Sequence, residues 1–464
     1  MTFHGFVLAG THSGSGKTTI TAGILSALKK RGLCVQPFKT GPDYIDTAFH
    51  SFVVGRKSRN LDTWLLSEES VRYLFAQNSI GADVAVVEGV MGLYDGLGGK
   101  EDIGSTASLA KMLNLPVILI IDGSGVARSA AAMVLGYDQF DKDCHIAGVI
   151  INRVGSAHHY EILKEAIEFT TQIPCLGYVL KNNQIKLSSR HLGLIPAVEI
   201  EDLEQRLTQV AEMVEDSVNL DQLLACSRME APKVMTHPAE KRFGDYKGLK
   251  VGIALDESFN FYYWDNLDLI KSLGCDCVFF SPIHDQKLPE GLDFIYIGGG
   301  FPEVFGKELS TNEQFKTSLK AYQNSGRPLY AECGGLMYLT EAIVDLEGVR
   351  HEMPGILSGE TVMTGKLKHF GYNEVETSSD LTEKPLHFKA HEFHRSEYRN
   401  HDLKPLYNLY KNRGADNEKA WKCGYQNGMA FGAYAHVHFY SEPKWLYYWL
   451  DKAKLVKENS CESI

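Results

Sequence analysis

Apolar and polar positions fall into blocks along this chain, and the blocks predict an alternation of strand and helix. Near the N-terminus the run Gly5-Phe6-Val7-Leu8-Ala9 is apolar throughout, as expected of a strand covered on both faces. Ile20, Ile24 and Leu28 then share one stripe of a helix. That helix closes with Lys29, Lys30 and Arg31, followed by Gly32. Cations suit the negative end of a helix dipole, and glycine suits a left-handed cap. Further apolar runs at 33–38, 84–88, 115–122, 146–152 and 175–180 read as strands of the same sheet. From 204 to 224 the pattern is helical and amphipathic. Residues 227–246 lose it, contain two prolines and mixed charge, and read as a linker. Strands resume at 250–254, 277–281, 294–297 and 328–331, with a late one at 429–434. The expectation is an α/β protein with two doubly wound, mostly parallel-sheet domains, 1–226 and 247–464. In such sheets ligands bind beyond the carboxyl ends of the strands.

Polar residues cluster at those ends. Between the first strand and its helix lies Gly10-Thr11-His12-Ser13-Gly14-Ser15-Gly16-Lys17-Thr18-Thr19. Strand, glycine-rich loop and helix make a phosphate-binding loop. Its N–H groups around Gly14, Ser15 and Gly16, and those of Lys17, Thr18 and Thr19, would cradle the phosphates of ATP. Lys17 would reach the terminal phosphates, and the Thr18 hydroxyl would meet Mg²⁺. Five residues separate Gly10 from Gly16, one more than the usual spacing. After the second strand comes Lys39-Thr40-Gly41-Pro42-Asp43-Tyr44-Ile45-Asp46. Aspartate after Gly-Pro is ordinary turn chemistry. Here a lysine and two carboxylates also share a sheet edge with the phosphate loop, where they could neutralise a phosphoryl group and hold Mg²⁺. Glu88 caps the third strand and is a second Mg²⁺ candidate. Asn152 ends a later strand, where its amide either reads an adenine edge or serves a turn.

The second half carries different chemistry. Gly298-Gly299-Gly300 follows a strand and could present N–H groups to an anion. Ala331-Glu332-Cys333-Gly334-Gly335 has the small residues that permit a tight strand-to-helix turn under a nucleophile. The helix start would lower the thiol pKa. A cysteine nucleophile needs a base, and His436-Val437-His438 follows the last strand. Strand alternation would put both imidazoles on one face. The stretch His391-Glu392-Phe393-His394-Arg395-Ser396-Glu397 is polar and reads as exposed near a cleft. Its composition does not decide between a substrate contact and a solvated loop.

Composition narrows the field. The 464 residues are 44% hydrophobic and 23% charged, which is ordinary globular usage. A formal charge of −11 disfavours nucleic acid as a partner. No apolar run is long enough to span a membrane. The chain enters a strand at once, leaving no room for a signal peptide. Nine scattered cysteines then read as cytoplasmic thiols rather than a disulfide framework.

Together these residues resemble a known combination. The loop from Gly10 to Thr18, with Lys39 and Glu88, resembles the dethiobiotin-synthetase-like branch of phosphate-loop enzymes. The second half is similar to class I glutamine amidotransferases, whose sheet is flavodoxin-like. The stretches Gly41 to Asp46, Glu88 to Gly96, Asp256 to Tyr263, Gly298 to Glu303, Ala331 to Gly335, His391 to Ser396 and His436 to Phe439, in order, resemble the cobyrinic acid a,c-diamide synthase family. The resemblance implies amidation of two acetate carboxylates of cobyrinic acid, with glutamine, ATP and Mg²⁺. It matches Cys333 to the glutaminase nucleophile and His436 to the residue that raises its nucleophilicity. It ties Asp43, Tyr44, Asp46 and Glu88 to substrate, and Asp46 and Glu88 also to Mg²⁺. It implies an acyl phosphate, a sheltered route for ammonia and no membrane partner; a homodimer is compatible with it. Many relatives have His-x-Glu where this chain has His436-Val437-His438, so the third member of the triad stays open. Partitioning ATPases share the first fold but carry an extra lysine early in the loop, where this chain has Thr11, His12 and Ser13. The motifs do not separate cobyrinic acid from hydrogenobyrinic acid or nickel sirohydrochlorin.

Overall fold

The structure is a computed structural model, and it describes residues 3–181, 197–411 and 419–462. The chain divides into two compact units, 1–236 and 237–464.

The first unit is built on an eight-stranded sheet. Its order is Arg59–Leu61, Val35–Thr40, Val84–Gly92, Phe3–Gly10, Val117–Asp122, Ile146–Val154 and Cys175–Leu180, all parallel. The short strand Arg228–Met229 adds antiparallel to Phe3–Gly10. Central strands are apolar and sealed: Phe6, Val7, Leu8, Val117, Ile118 and Leu119 are fully buried. Ile20, Ile24 and Leu28 of the helix Lys17–Lys30 join Phe6 and Leu8 in one cluster, so the stripe read from sequence is the buried face. The strand at 84 runs four residues past Glu88, to Gly92. Glu88 therefore lies within the sheet, opposite Leu8 on one side and Lys39 on the other.

The second unit holds a six-stranded sheet in the order Asp276–Phe280, Lys250–Ala254, Phe294–Ile297, Leu329–Glu332, Ala430–Ala433 and Tyr425–Asn427. The first five are parallel and the last is antiparallel. A second, mostly antiparallel six-stranded sheet is inserted after the cysteine turn. Its spine is the pair Glu360–Thr377 and His387–Arg399. The segment read as an exposed polar stretch lies in this pair. His391, Glu392, His394 and Ser396 are buried, while Phe393 is 46% exposed. Four polar side chains are buried while an aromatic is exposed, which obscures the pattern used to recognise strands. No described helix is long and apolar enough to cross a membrane.

Candidate active sites

In the first unit, Gly16 caps the helix Lys17–Lys30 at φ 96°, a left-handed conformation that glycine adopts freely. A Cβ there would sit 2.0 Å from Asn152 Nδ2. Asn152 donates to Ser15 O at 2.8 Å and accepts from Arg153 N at 2.9 Å. Its amide is thus engaged with the loop rather than turned toward a base. Arg153 donates to Gly14 O at 2.7 Å. Lys17 is buried and donates to Met91 O and to His12 O. Burial, and then the Lys39 ammonium, hold its pKa below the ordinary lysine value.

Thr18 Oγ1 donates to Glu88 Oε1 at 2.8 Å. Lys39 Nζ lies 2.6 Å from Asp46 Oδ2 and 3.0 Å from Glu88 Oε1. Burial alone would push the Glu88 carboxyl up, but Lys39, His50 and Thr18 outweigh it and hold the carboxyl well below the usual carboxylate range. Burial would likewise lower Lys39; Glu88, Asp46 and Asp43 hold it above its ordinary value. Asp43 accepts from Ile45 N and Asp46 N and so caps the helix Tyr44–Val54. That helix carries the buried Tyr44, Asp46 and His50. His50 was missed in the sequence: it is fully buried, with Nε2 2.6 Å from Glu88 Oε2. The signal was present in its four-residue spacing from Asp46, which puts both on one helix face.

This site fits a nucleotide with Mg²⁺. Ser15 Oγ is buried without a hydrogen-bond partner among the described residues, in a loop with the shape of a phosphate cradle. The oxygens of Thr18, Asp46 and Glu88 are hard donors. Among the described residues no group of three or more His, Cys, Asp or Glu forms a metal cage. Mg²⁺ seldom needs one, since phosphates and water complete its shell.

In the second unit, Cys333 joins the strand Leu329–Glu332 to the helix Gly334–Leu339 at φ 47°, ψ −103°. This is the strained turn expected of a nucleophile. Its N–H donates to Ala433 O at 2.7 Å. A Cβ on Gly334 would sit 3.0 Å from Gly300 N, which brings the glycine loop against the turn. Burial pushes the Cys333 thiol well above its usual range, and Glu303 and Glu392 add to the effect. The helix start is expected to lower the thiol pKa; burial acts in the opposite direction. The thiol is neutral at rest and needs a base at the moment of attack.

His436 and His438 do not share a strand face, because the strand ends at Ala433. His436 instead forms an isolated antiparallel bridge with His391, and each N–H donates to the other's carbonyl. A Cβ on Gly299 would sit 2.4 Å from His436 Cε1, so the imidazole lies against the glycine loop. Burial lowers the His436 pKa to about 3, with His391 and His394 adding to it. It is therefore neutral at rest. His438 goes elsewhere: its ring packs on Tyr263, and Nε2 is 4.0 Å from Asp265 Oδ2. A cavity of about 210 Å³ is lined by Glu392, His394, Ser396, Trp421 and Tyr434, among others. His394 stacks on Tyr434 at 3.7 Å, and Ser396 Oγ donates to Tyr434 OH at 3.0 Å.

Comparison with known proteins agrees with both halves. Residues 6–195 match the CobQ/CobB/MinD/ParA nucleotide binding domain, and residues 250–444 match the CobB/CobQ-like glutamine amidotransferase domain. The chain is 49% identical over 453 residues to the cobyrinate a,c-diamide synthase of Streptococcus sanguinis, covering 97% of this chain and 99% of the relative. It is 45% identical over 440 residues to that of Listeria innocua, covering 94% and 96%. It is 43% identical over 455 residues to that of Salmonella typhimurium, covering 98% and 99%. Similarity at this level, through both domains and in the same order, places the chain in the cobyrinate a,c-diamide synthase family of carbon–nitrogen ligases.

Proposed function

We propose that this enzyme amidates the a and c acetate carboxylates of cobyrinic acid, taking nitrogen from glutamine and energy from ATP. One observation supports the reading above others: a phosphate loop tied to Glu88 through Thr18 and a strained strand-end cysteine occur in one chain that spans nearly all of its relatives. A carboxylate is a poor electrophile, so amidation needs prior activation. The acetate oxygen attacks the γ-phosphorus of ATP, ADP leaves, and an acyl phosphate forms. Gly14 to Thr19 bind the phosphates, and Lys17 and Lys39 hold the charge that develops. Mg²⁺, which supplies charge neutralisation on the phosphates, would be held by Thr18, Asp46 and Glu88. Asp43 and Tyr44 shape the substrate side, and Asn152 braces the loop.

In the other unit Cys333 Sγ attacks the amide carbon of glutamine while His436 takes the thiol proton. That proton passes to the departing nitrogen, ammonia leaves, and water hydrolyses the thioester to glutamate. The N–H groups of Gly299, Gly300 and Gly334 are assigned to the oxyanion. His438, packed beside Tyr263, is given no step in this scheme. Ammonia attacks the acyl phosphate, and phosphate leaves with formation of the amide. The reading takes the enzyme as cytoplasmic, in keeping with eight free cysteines among the described residues.

The test is incubation of the protein with ATP, glutamine and each of three macrocycles: cobyrinic acid, hydrogenobyrinic acid and nickel sirohydrochlorin. Added amides are counted by mass. Two amides on cobyrinic acid are expected; none there, with two on another ring, transfers the chemistry to that ring.

A further inference from the structure

The amidotransferase reading leaves one role empty, and the role given to Glu332 below rests on that reading. In cysteine–histidine sites a third group holds the imidazole in the tautomer that leaves its far nitrogen free to accept a proton. The residue two beyond His436 is His438, and it lies against Tyr263 and Asp265. A carboxylate does face His436, from the neighbouring strand. Glu332 ends the strand Leu329–Glu332, one residue before Cys333, and is 1% exposed. Its Oε2 is 3.9 Å from His436 Nδ1. Its other neighbours are donors. Tyr296 OH donates to Oε2 at 2.8 Å, Tyr330 OH to Oε1 at 2.6 Å, and Val437 N to Oε1 at 3.1 Å.

Three donors suit an ionised carboxylate, which can only accept. They occupy three of its roughly four lone-pair sites and leave one on Oε2, the oxygen nearer His436. The bond to Val437 N also fixes the backbone next to His436. A buried carboxylate without such partners would be costly. A distance of 3.9 Å is too long for a hydrogen bond. A ring shift of about 1 Å closes it, and catalytic hydrogen bonds often tighten only when substrate binds.

We propose that Glu332 is the positioning residue for His436: it accepts the Nδ1 hydrogen, leaves Nε2 to take the Cys333 proton, and balances the imidazolium that forms. No proton passes to Glu332. The thiol proton moves to Nε2 and then to the departing ammonia. The arrangement moves the third group of the triad from the residue after the histidine to the residue before the cysteine.

The pH response separates this role from a structural one. Burial raises the Glu332 carboxyl to about 7, against the pull of its hydrogen bonds from Tyr330, Tyr296 and Val437. The titratable groups around it are Tyr262, Tyr296, Tyr330, Tyr407, Cys333 and His436. The tyrosines and the thiol are all raised by burial, so they stay neutral near pH 7. Above about pH 7 Glu332 is ionised and can accept from His436; below it the carboxyl is neutral.

Glutamine hydrolysis by the full chain is measured from about pH 5 to about pH 9 in the wild type and in Glu332→Gln. The wild-type kcat should fall as pH drops through about 7. In Glu332→Gln that limb should vanish and kcat should drop by about 100-fold, with the KM for glutamine little changed. In a His436→Ala background the same substitution should have no further effect, because Glu332 acts through His436. An equal loss in both backgrounds, a loss under about twofold, or an acid limb that survives in Glu332→Gln overturns the proposal. If circular dichroism shows that Glu332→Gln does not fold, Glu332→Asp carries the test. Its retained charge should keep the limb while kcat falls about tenfold, and absence of the limb overturns the proposal. Failure of the underlying reading looks different: Cys333→Ala would then keep its glutaminase activity.

Discussion

The two candidate sites lie at comparable places, just past or near the ends of parallel strands, and hold charge in opposite ways. In the first unit Lys39, Glu88 and Asp46 form a buried network at 2.6–3.0 Å, with His50 closing it from behind. Their partners stabilise the ionised forms of Lys39 and Glu88 against burial. In the second unit burial wins: Cys333 is held as a thiol and His436 as a neutral imidazole. The difference follows from the substrates proposed for each. ATP and a carboxylate arrive charged and need charges already in place. Glutamine arrives with a neutral amide, so charge on the sulfur and the imidazole need arise only while the thiol attacks.

The largest expected effect breaks the comparison in the second unit. Cys333→Ala should lower glutamine-dependent amidation by on the order of 10⁴-fold while synthesis from ammonium salts persists. Loss of both activities would mean that the two sites are not chemically separate. Lys17→Ala is the mirror experiment. Synthesis from either nitrogen source should fall about 10³-fold, and glutamine hydrolysis should remain. Parallel loss of hydrolysis would show that one site cannot work without the other.

Glu88→Gln tests whether the first site holds real charge. It removes one of the two carboxylates in ion-pair contact with the buried Lys39 ammonium among the described residues, and should lower the unfolding free energy by about 3 kcal/mol. The pH dependence has a definite sign. The folded pKa of Glu88 is depressed, so its contribution is complete above the ordinary glutamate value of about 4.3 and fades as pH falls below it. Denaturant unfolding curves of wild type and variant should differ at neutral pH and converge in acid. A constant gap at all pH values would assign the effect to packing.

The smallest effect sharpens the second site. Gly299→Ala would place a methyl 2.4 Å from His436 Cε1. A displaced imidazole should cost up to about 100-fold in glutamine hydrolysis and leave ammonium-driven synthesis unchanged. No change in hydrolysis would mean that His436 has room to move and is not held by the glycine loop.

Much of this was legible in the sequence where function and pattern coincide. The phosphate loop is a local device, so Gly16, Lys17 and Thr18 announce it within a few residues. The strand beginning at Val84 was visible as an apolar run, yet its true end at Gly92 was not, because Glu88 interrupts the run and is buried by partners far along the chain. His50 belongs to no motif in the sequence, and only its four-residue spacing from Asp46 pointed to it. The pair Glu360–Thr377 and His387–Arg399 escaped because its inward positions include His391, Glu392, His394 and Ser396. Polar residues at buried strand positions leave no hydrophobic period to detect.

The sequence by itself determined the chemistry available: a loop able to bind phosphate, carboxylates and a lysine beside it, a cysteine on a tight turn, and late imidazoles. It also determined the alternation of strands and helices, since backbone preference and apolar runs act over short spans. Only the tertiary structure decided which carboxylate faces which cation, that His436 and His438 part company, and that Glu332 lies 3.9 Å from His436. Those outcomes depend on the packing of strands distant in the chain, and on burial, which stabilises a charge or suppresses it according to what lies opposite.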